Sequence, residues 1–467
     1  MATYSVPEGK AIVGGRTAHP NALLNTIAAA PDGSWVKGNT NRYEEVWTPY
    51  ALRAPYGAEK AKLTSIISAW SGFAWDHKHH RLILFGGGHA NTSANDVYVW
   101  SAETRKWVLA YYPTDYSDHS NIYGTRGDFS AKGGSDKTPN SAHCYDNHHY
   151  LERLDRFMTF CGADYNTGHP PVVRDAGGNV VRNAGAYTLD LALHGRGFMG
   201  GPSGSNVHSG AWSSVDVLGA NAWKLRDWYL DHPQKGTLAQ NGRTNGVGAT
   251  VVENGRDVVY QALNTNGQRH LYRFEMVDHD YHNDLISKVG RYWNSAPTGL
   301  GAGAYDPFSK KFLITRNGTT GRFFGWDLMT PGPTNSEYFV SSSEVTLGPD
   351  IADFTSRDLS TYGMDFDPVR REYVLWNRGG AVWRVKPPNT DTTAYFGSGW
   401  YVEKVGDDAL TTRPMTSAEM SAESAGDVGV IGKWKYAKDL DCFVGLQHTT
   451  NGDVWIWKPI GWVDPRN

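Results

Sequence analysis

Six stretches of the chain repeat one pattern of apolar and polar positions: a short apolar run, a polar turn, and a second apolar run. They are Phe73–Gly88, His148–Ala163, Ala249–Asn264, Gly303–Gly318, Met364–Gly379 and Trp434–Thr449. Each run is too short for a helix and is rich in aromatic and β-branched residues, so each pair reads as a β-hairpin. The turns carry reversal chemistry: Asp306 with Pro307, Asp367 with Pro368, and Glu253, Asn254 and Gly255 in a row. A third aromatic-rich strand is predicted after each hairpin, starting near Asn95, Gly185, His270, Arg322, Gly380 and Gly452. A fourth follows near Lys106, Trp223, Arg291, Glu337 and Trp400, but the sixth unit ends before one appears. The segment from Tyr43 (YEEVWT) is the expected substitute, so that one terminus completes the unit begun by the other.

Four-strand repeats of ~40–50 residues mark a β-propeller. Successive hairpins here start 54 to 101 residues apart, and the excess is loop insertion, largest at 166–184 and 200–221. The expectation is an all-β propeller of six blades, with a seventh left open in an insertion or in the first 42 residues. Residues 1–42 are read as an N-terminal extension and 43–467 as a single propeller domain. Two stacked β-sandwiches would give the complementary termini no purpose, whereas ring closure removes exposed sheet edges.

Composition narrows the class. With 18 Trp, 25 Tyr, 16 Phe and 53 Gly among 467 residues, the chain can fill a core between tight turns. No uninterrupted apolar stretch approaches the ~18 residues of a membrane span, so no membrane insertion is expected. A formal charge of −3 argues against broad nucleic-acid binding. The first residues lack a basic region followed by an apolar run, so the chain is expected to be cytoplasmic or virion-associated, or extracellular after removal of a signal. Cys144, Cys161 and Cys442 make no disulfide framework.

The segment FGGGHANTSANDVYVWSAETRKW, Phe85 to Trp107, resembles a kelch repeat of the galactose-oxidase-like propellers. The marks are the glycines after the second strand, the Tyr in the third and the Trp soon after. NSAHCYDNHHYL followed by DRFMTFCGADYNTG is similar to kelch-type proteins of phage and prophage tail regions, which implies a role alongside other virion proteins. The kelch resemblance implies that loops joining strands two and three, and loops joining blades, share one face around the channel, where sites usually lie.

Those loops carry His89 and Asn91, Asp164 and Tyr165, Asn264, Arg316, Asn377 and Arg378, and His448. The blade-to-blade loops add His143, Arg243, Asp353, Arg357, Tyr362, Glu419 and Glu423. Arg forks and amides suit carboxylate, sulfate and hydroxyl groups, so an acidic polysaccharide is the expected ligand, held by His89, Arg243, Asn264, Arg316, Arg378 and His448. The alternative is a lyase acting by β-elimination on a uronate polymer, with His143 and Tyr165 as base and acid and an Arg neutralising the carboxylate. A structural or protein-binding module is the third reading.

No cofactor and no metal are expected. The Asp278–Asp284 cluster lacks the Gly and distal Glu of a calcium loop and reads as a solvated turn. His79–His80 and His148–His149 are adjacent pairs that diverge. A copper oxidase of the galactose-oxidase kind is disfavoured, because Tyr281–His282, the sole Tyr-His pair, falls on the opposite rim, and Cys144 and Cys161 read as core.

Overall fold

The computed structural model describes residues 19–50, 53, 55–56, 59–60, 62–68, 70–88, 91–92, 94–111, 113, 138–165, 168, 170–175, 179–191, 223–238, 246–265, 268–290, 300–315, 323–329, 337–340, 345–388, 399–425 and 429–467. Six sheets, antiparallel apart from one added edge strand, form the blades of a propeller. The inner strands are Gly72–Asp76, His148–Leu151, Val247–Glu253, Gly303–Asp306, Gly363–Asp367 and Trp434–Ala437, in blades one to six. Each packs against the inner strand of the next blade, and the sixth packs back on the first.

The six tight turns after the inner strands share one backbone device. His80, Asp155, Asn254, Lys310, Arg371 and Asp441, each on the last residues of its turn, all have φ between 48° and 54°. A left-handed residue there matches a short turn to the twist of its hairpin. In three blades an Asp closes the turn through its side chain. Asp76 accepts the Lys78 and His79 N–H groups, Asp306 those of Phe308 and Ser309, and Asp367 those of Val369 and Arg370.

Second strands read as unbroken apolar runs because both blade faces are covered. In Arg81–Phe85, Leu82 and Leu84 enter the core shared with blade six, while Ile83 and Phe85 enter the core shared with blade two. Among the described residues every blade interface holds one such cluster, six around the ring.

Ring closure by the N-terminal side of the chain is present, but through a different segment from the one expected. Ser34–Lys37 pairs antiparallel with Asp453–Lys458, Trp35 opposite Trp457 and Val36 opposite Ile456. The closing strand thus lies within the stretch read as an extension. Trp35 explains the choice: its ring sits 5.3 Å from Trp376 and 5.1 Å from Trp457, and its Nε1 donates to Gly380 O at 2.9 Å. Tyr43–Val46 is a 3-10 helix instead, with the Tyr43 ring wedged at 4.8 Å from Tyr98 and 5.4 Å from Trp107. The helix Asn21–Ala29 buries Leu23, Leu24 and Ile27 in the same core.

Blade three also differs from expectation. Its fourth strand is Leu285–Lys288, held by buried Ile286, rather than a segment starting at Arg291, which lies outside the described residues. Blade five gains a fifth strand, Val345–Leu347, parallel to Trp400–Val405. Among the described residues no helix is long and apolar enough to cross a membrane.

Candidate functional site

The chain enters each blade on its inner strand. Loops between strands two and three therefore share a face with the blade-to-blade loops, and the tight turns occupy the opposite face. On the loop face, Ala142–His143 and Ala163–Asp164 form a two-stranded ribbon, with His143 opposite Ala163. Tyr165 continues the ribbon, its N–H donating to Ser141 O at 3.1 Å. His143 and Tyr165 thus lie two positions apart on one ribbon, and both are buried. The Asn91 side-chain nitrogen lies 2.7 Å from His143 Nε2.

His448 is also buried, and its Nδ1 accepts the N–H groups of Thr450 and Asn451 at 3.3 and 3.0 Å. Its Nε2 lies 3.3 Å from Glu423. These bonds hold its own loop. Asn264 is on the second strand of blade three, opposite Arg269, and its side chain lies outside the described set. His89, Arg243 and Arg316 lie outside the described residues.

Four other expected residues converge. Arg357, Tyr362, Asn377 and Arg378 line a pocket of about 220 Å³ at the blade-five rim, with Lys404 and Trp383. Arg357 lies 4.9 Å above the Trp383 ring, gives one arm to Asp353 at 2.7 Å and another to the Tyr362 hydroxyl at 3.2 Å, and leaves a buried Nε without a partner. Asn377 donates to Thr361 Oγ1 at 3.0 Å, while its buried carbonyl oxygen has no partner. The acids in the wall are engaged by turn backbone: Asp408 takes the Gly380 N–H and Asp407 that of Ala409.

The propeller axis holds a second constellation. The segment Tyr145–Asn147 crosses the loop-face end of the channel. Its Tyr145 carbonyl presses against Gly72 and Gly432, where an added Cβ would lie 2.5 and 2.0 Å from that oxygen. Asp146 bridges to Val247, accepts the Gly303 N–H at 2.9 Å and pairs with the Lys435 ammonium, so it touches blades three, four and six. Beyond this plug the channel opens toward the tight-turn face as a cavity of about 370 Å³.

Ala74, His149, Thr250, Asp365 and Lys435, each mid-strand in its inner strand, line that cavity. Burial pushes the Asp146 and Asp365 carboxyls up, against the pull of Lys435. Burial acts downward on Lys435, but the two carboxylates outweigh it and raise its ammonium. Burial drives His148 and His149 down to about 3, so both are neutral at pH 7. As expected, the pair diverges. His148 Nε2 lies 2.9 Å from Phe85 O of blade one, whereas His149 bonds Thr250 and Gln261 of blade three, both at 2.8 Å.

Sequence reasoning missed this axis because it looked at loops. The available signal was a charge inside an inner strand, Asp365 in MDFD and Lys435 in WKYA, where the aligned blades carry Ala74 and Ala304.

The remaining candidates resolve into local bonding. The Asp278–Asp284 turn is exposed over most of its length and knit to itself, Asp278 taking the Asp280 N–H at 2.7 Å and His282 lying 2.7 Å from Asp280. His79 and His80 part to Asp76 and Asp439. Asp76, His79 and Asp155 come close enough for a metal, but the Arg81 guanidinium, 2.6 Å from Asp76, already neutralises that cluster. Cys144 and Cys161 are buried thiols, Cys144 pushed up by burial and by its neighbour Cys161.

No protein-family model and no curated protein matches the chain. Among solved structures, it is similar to YjhT at 10% identity and a TM-score of 0.35, over 83% of this chain and 92% of that one. It is also similar to a protein of unknown function from Bacteroides thetaiotaomicron, at 10% identity and a TM-score of 0.32, over 83% and 90%.

Proposed function

We propose that the protein recognises an acidic polysaccharide on its loop face, with the blade-five rim pocket as a principal contact. The carrying observation is the convergence of Arg357, Arg378, Lys404, Tyr362 and Asn377 around one 220 Å³ pocket. Three cations from separate segments, two of which share the one carboxylate of Asp353, suit carboxylate or sulfate groups, and the amide and phenol suit hydroxyls. The repeat itself we assign to the kelch type, on Gly86 and Gly87 after the second strand, both with positive φ, and on Tyr98 and Trp107. A role beside other phage tail proteins accords with the second resemblance.

The test is retention on immobilised polymers. Polygalacturonate, alginate and heparin should retain the protein and dextran should not, and Arg357→Ala with Arg378→Ala should release it without unfolding. Equal retention of that double variant would refute the assignment. β-Elimination is the second reading, favoured by the His143–Tyr165 ribbon. It requires a rise in unsaturated-product absorbance with a uronate polymer, lost in His143→Ala. Binding without any such rise removes the lyase, and no binding to any polymer leaves the structural module.

A further inference from the structure

The axial cavity opens on the mouth opposite the proposed polysaccharide face. We propose that it binds a compact organic cation, a primary or methylated ammonium, with Asp365 as counter-ion. The charges lining the cavity decide the sign. Lys435 pairs with Asp146, and Lys438 pairs with Glu152. Asp257 and Asp365 are then left without a hydrogen-bonded cation, and Lys435, which also acts on Asp365, is one ammonium shared between two carboxylates, Asp146 and Asp365. Asp257 is consumed by backbone, taking the Arg153 N–H at 3.0 and 2.9 Å and the Leu154 N–H at 2.9 Å. Asp365 takes one N–H on each oxygen, Phe366 and Tyr436, both at 2.8 Å, so each oxygen keeps a lone pair for a ligand. His148 and His149 are neutral at pH 7 and do not offset the excess. Lys435 is already held by Asp146 and Asp365, which leaves it little attraction for an anion.

The walls suit the same ligand. Five of the six inner strands contribute an aromatic to the cavity: Trp75, Tyr150, Tyr305, Phe366 and Tyr436. Their polar tips are tied elsewhere: Trp75 to Asp439 at 2.6 Å, Tyr150 to Asp155 at 2.7 Å, Tyr305 to Glu253 at 3.3 Å and Tyr436 to Asp441 at 2.5 Å. What they add to the lining is aromatic ring rather than hydroxyl, and aromatic rings attract ammonium groups. A volume of about 370 Å³ falls at the lower end of small-molecule sites, ~300–1,000 Å³.

The test is calorimetric titration of the full chain at pH 7 and constant ionic strength. The probes are tetramethylammonium chloride, glucosamine hydrochloride, N-acetylglucosamine and sodium acetate. Both cations should bind, and the neutral sugar and acetate should not. Asp365→Asn should weaken cation binding at least tenfold, while Arg378→Ala on the other mouth leaves it unchanged. If Asp365→Asn does not fold, Val252→Trp decides. Val252 is an exposed residue near the end of its inner strand at the cavity mouth, so the larger ring blocks access without touching the core. Loss of binding in that folded variant supports the site, and retention overturns it. Binding of acetate or N-acetylglucosamine as tightly as the cations, or no cation binding in the wild type, also overturns it. Failure of polysaccharide binding at the rim leaves this result untouched, so the two readings fail separately.

Discussion

Acid should destabilise this protein through two histidines of the channel wall, and His149→Gln isolates the effect. His148 and His149 sit at about 3 in the folded state, against 6.5 when exposed. Their folded values are depressed, so the stability linked to neutral rings is complete above pH 6.5 and drains away as pH falls toward 3. At pH 5 each ring has lost about 2 kcal/mol, roughly 1.5 pH units at ~1.36 kcal/mol each. The cause is visible around His149. Its ring is buried, takes a hydrogen bond from Thr250, gives one to Gln261, and faces the Lys435 charge and His148. For a 467-residue chain the unfolding entropy is about 1 kcal/mol/K, so ~2 kcal/mol shifts the melting temperature by roughly 2 °C. Gln at position 149 can keep both bonds without titrating. Its melting temperature should therefore fall about 2 °C less than the wild type's between pH 7 and pH 5, measured by scanning calorimetry. The carboxylates titrate in both proteins and cancel in the difference. Parallel curves would refute the claim that His149 is held neutral by its site.

The axial ion pair should be tightly coupled. Asp146→Asn and Lys435→Met should each cost about 3–5 kcal/mol, and the double variant less than their sum, because each single change strands a buried charge; additive melting shifts would remove the coupling. Trp35→Ala should cost ~3–5 kcal/mol by opening a cavity among Trp376, Trp434 and Trp457, read as an earlier thermal transition; an unchanged transition would mean that the closing strand contributes little. Arg378→Ala should lower retention on uronate polymers with less than about 0.5 kcal/mol change in stability, since Arg378 is a loop residue at a pocket wall.

The blades were legible because their chemistry is local. Asp-led turns, glycines and two-sided apolar runs announce hairpins wherever they occur, and the spacing of six hairpins announces a ring. The closing strand was misplaced because Ser34–Lys37 carries a single informative residue, Trp35, and its value lies in Trp376, Trp434 and Trp457, far along the chain. Tyr43–Val46 looked more strand-like, but that blade edge is already filled and Tyr43 serves better as a wedge against Tyr98 and Trp107. In the rim, Arg357, Tyr362, Asn377 and Arg378 were each named from loop position. Their convergence was not legible, because it depends on how the loops of blade five fold over Trp383.

The two mouths differ for a reason rooted in chain direction. The loop face receives every connection between blades, so it can vary by insertion, and its chemistry sits on residues that local reading flags. The opposite mouth is built from six turns so short that each needs a left-handed residue to close. Such turns have little room for added function. Chemistry near that mouth must therefore come from inside the inner strands, whose mid-strand residues reach the channel. Ala74 and Ala304 are small and sit in blade cores, whereas Asp365 and Lys435 place opposite charges at the equivalent positions of neighbouring blades. Burying them costs stability unless each is answered. Asp146, delivered across the axis by the plug, answers Lys435. Asp365 shares that same ammonium, so it is the carboxylate this arrangement leaves only partly answered within the chain.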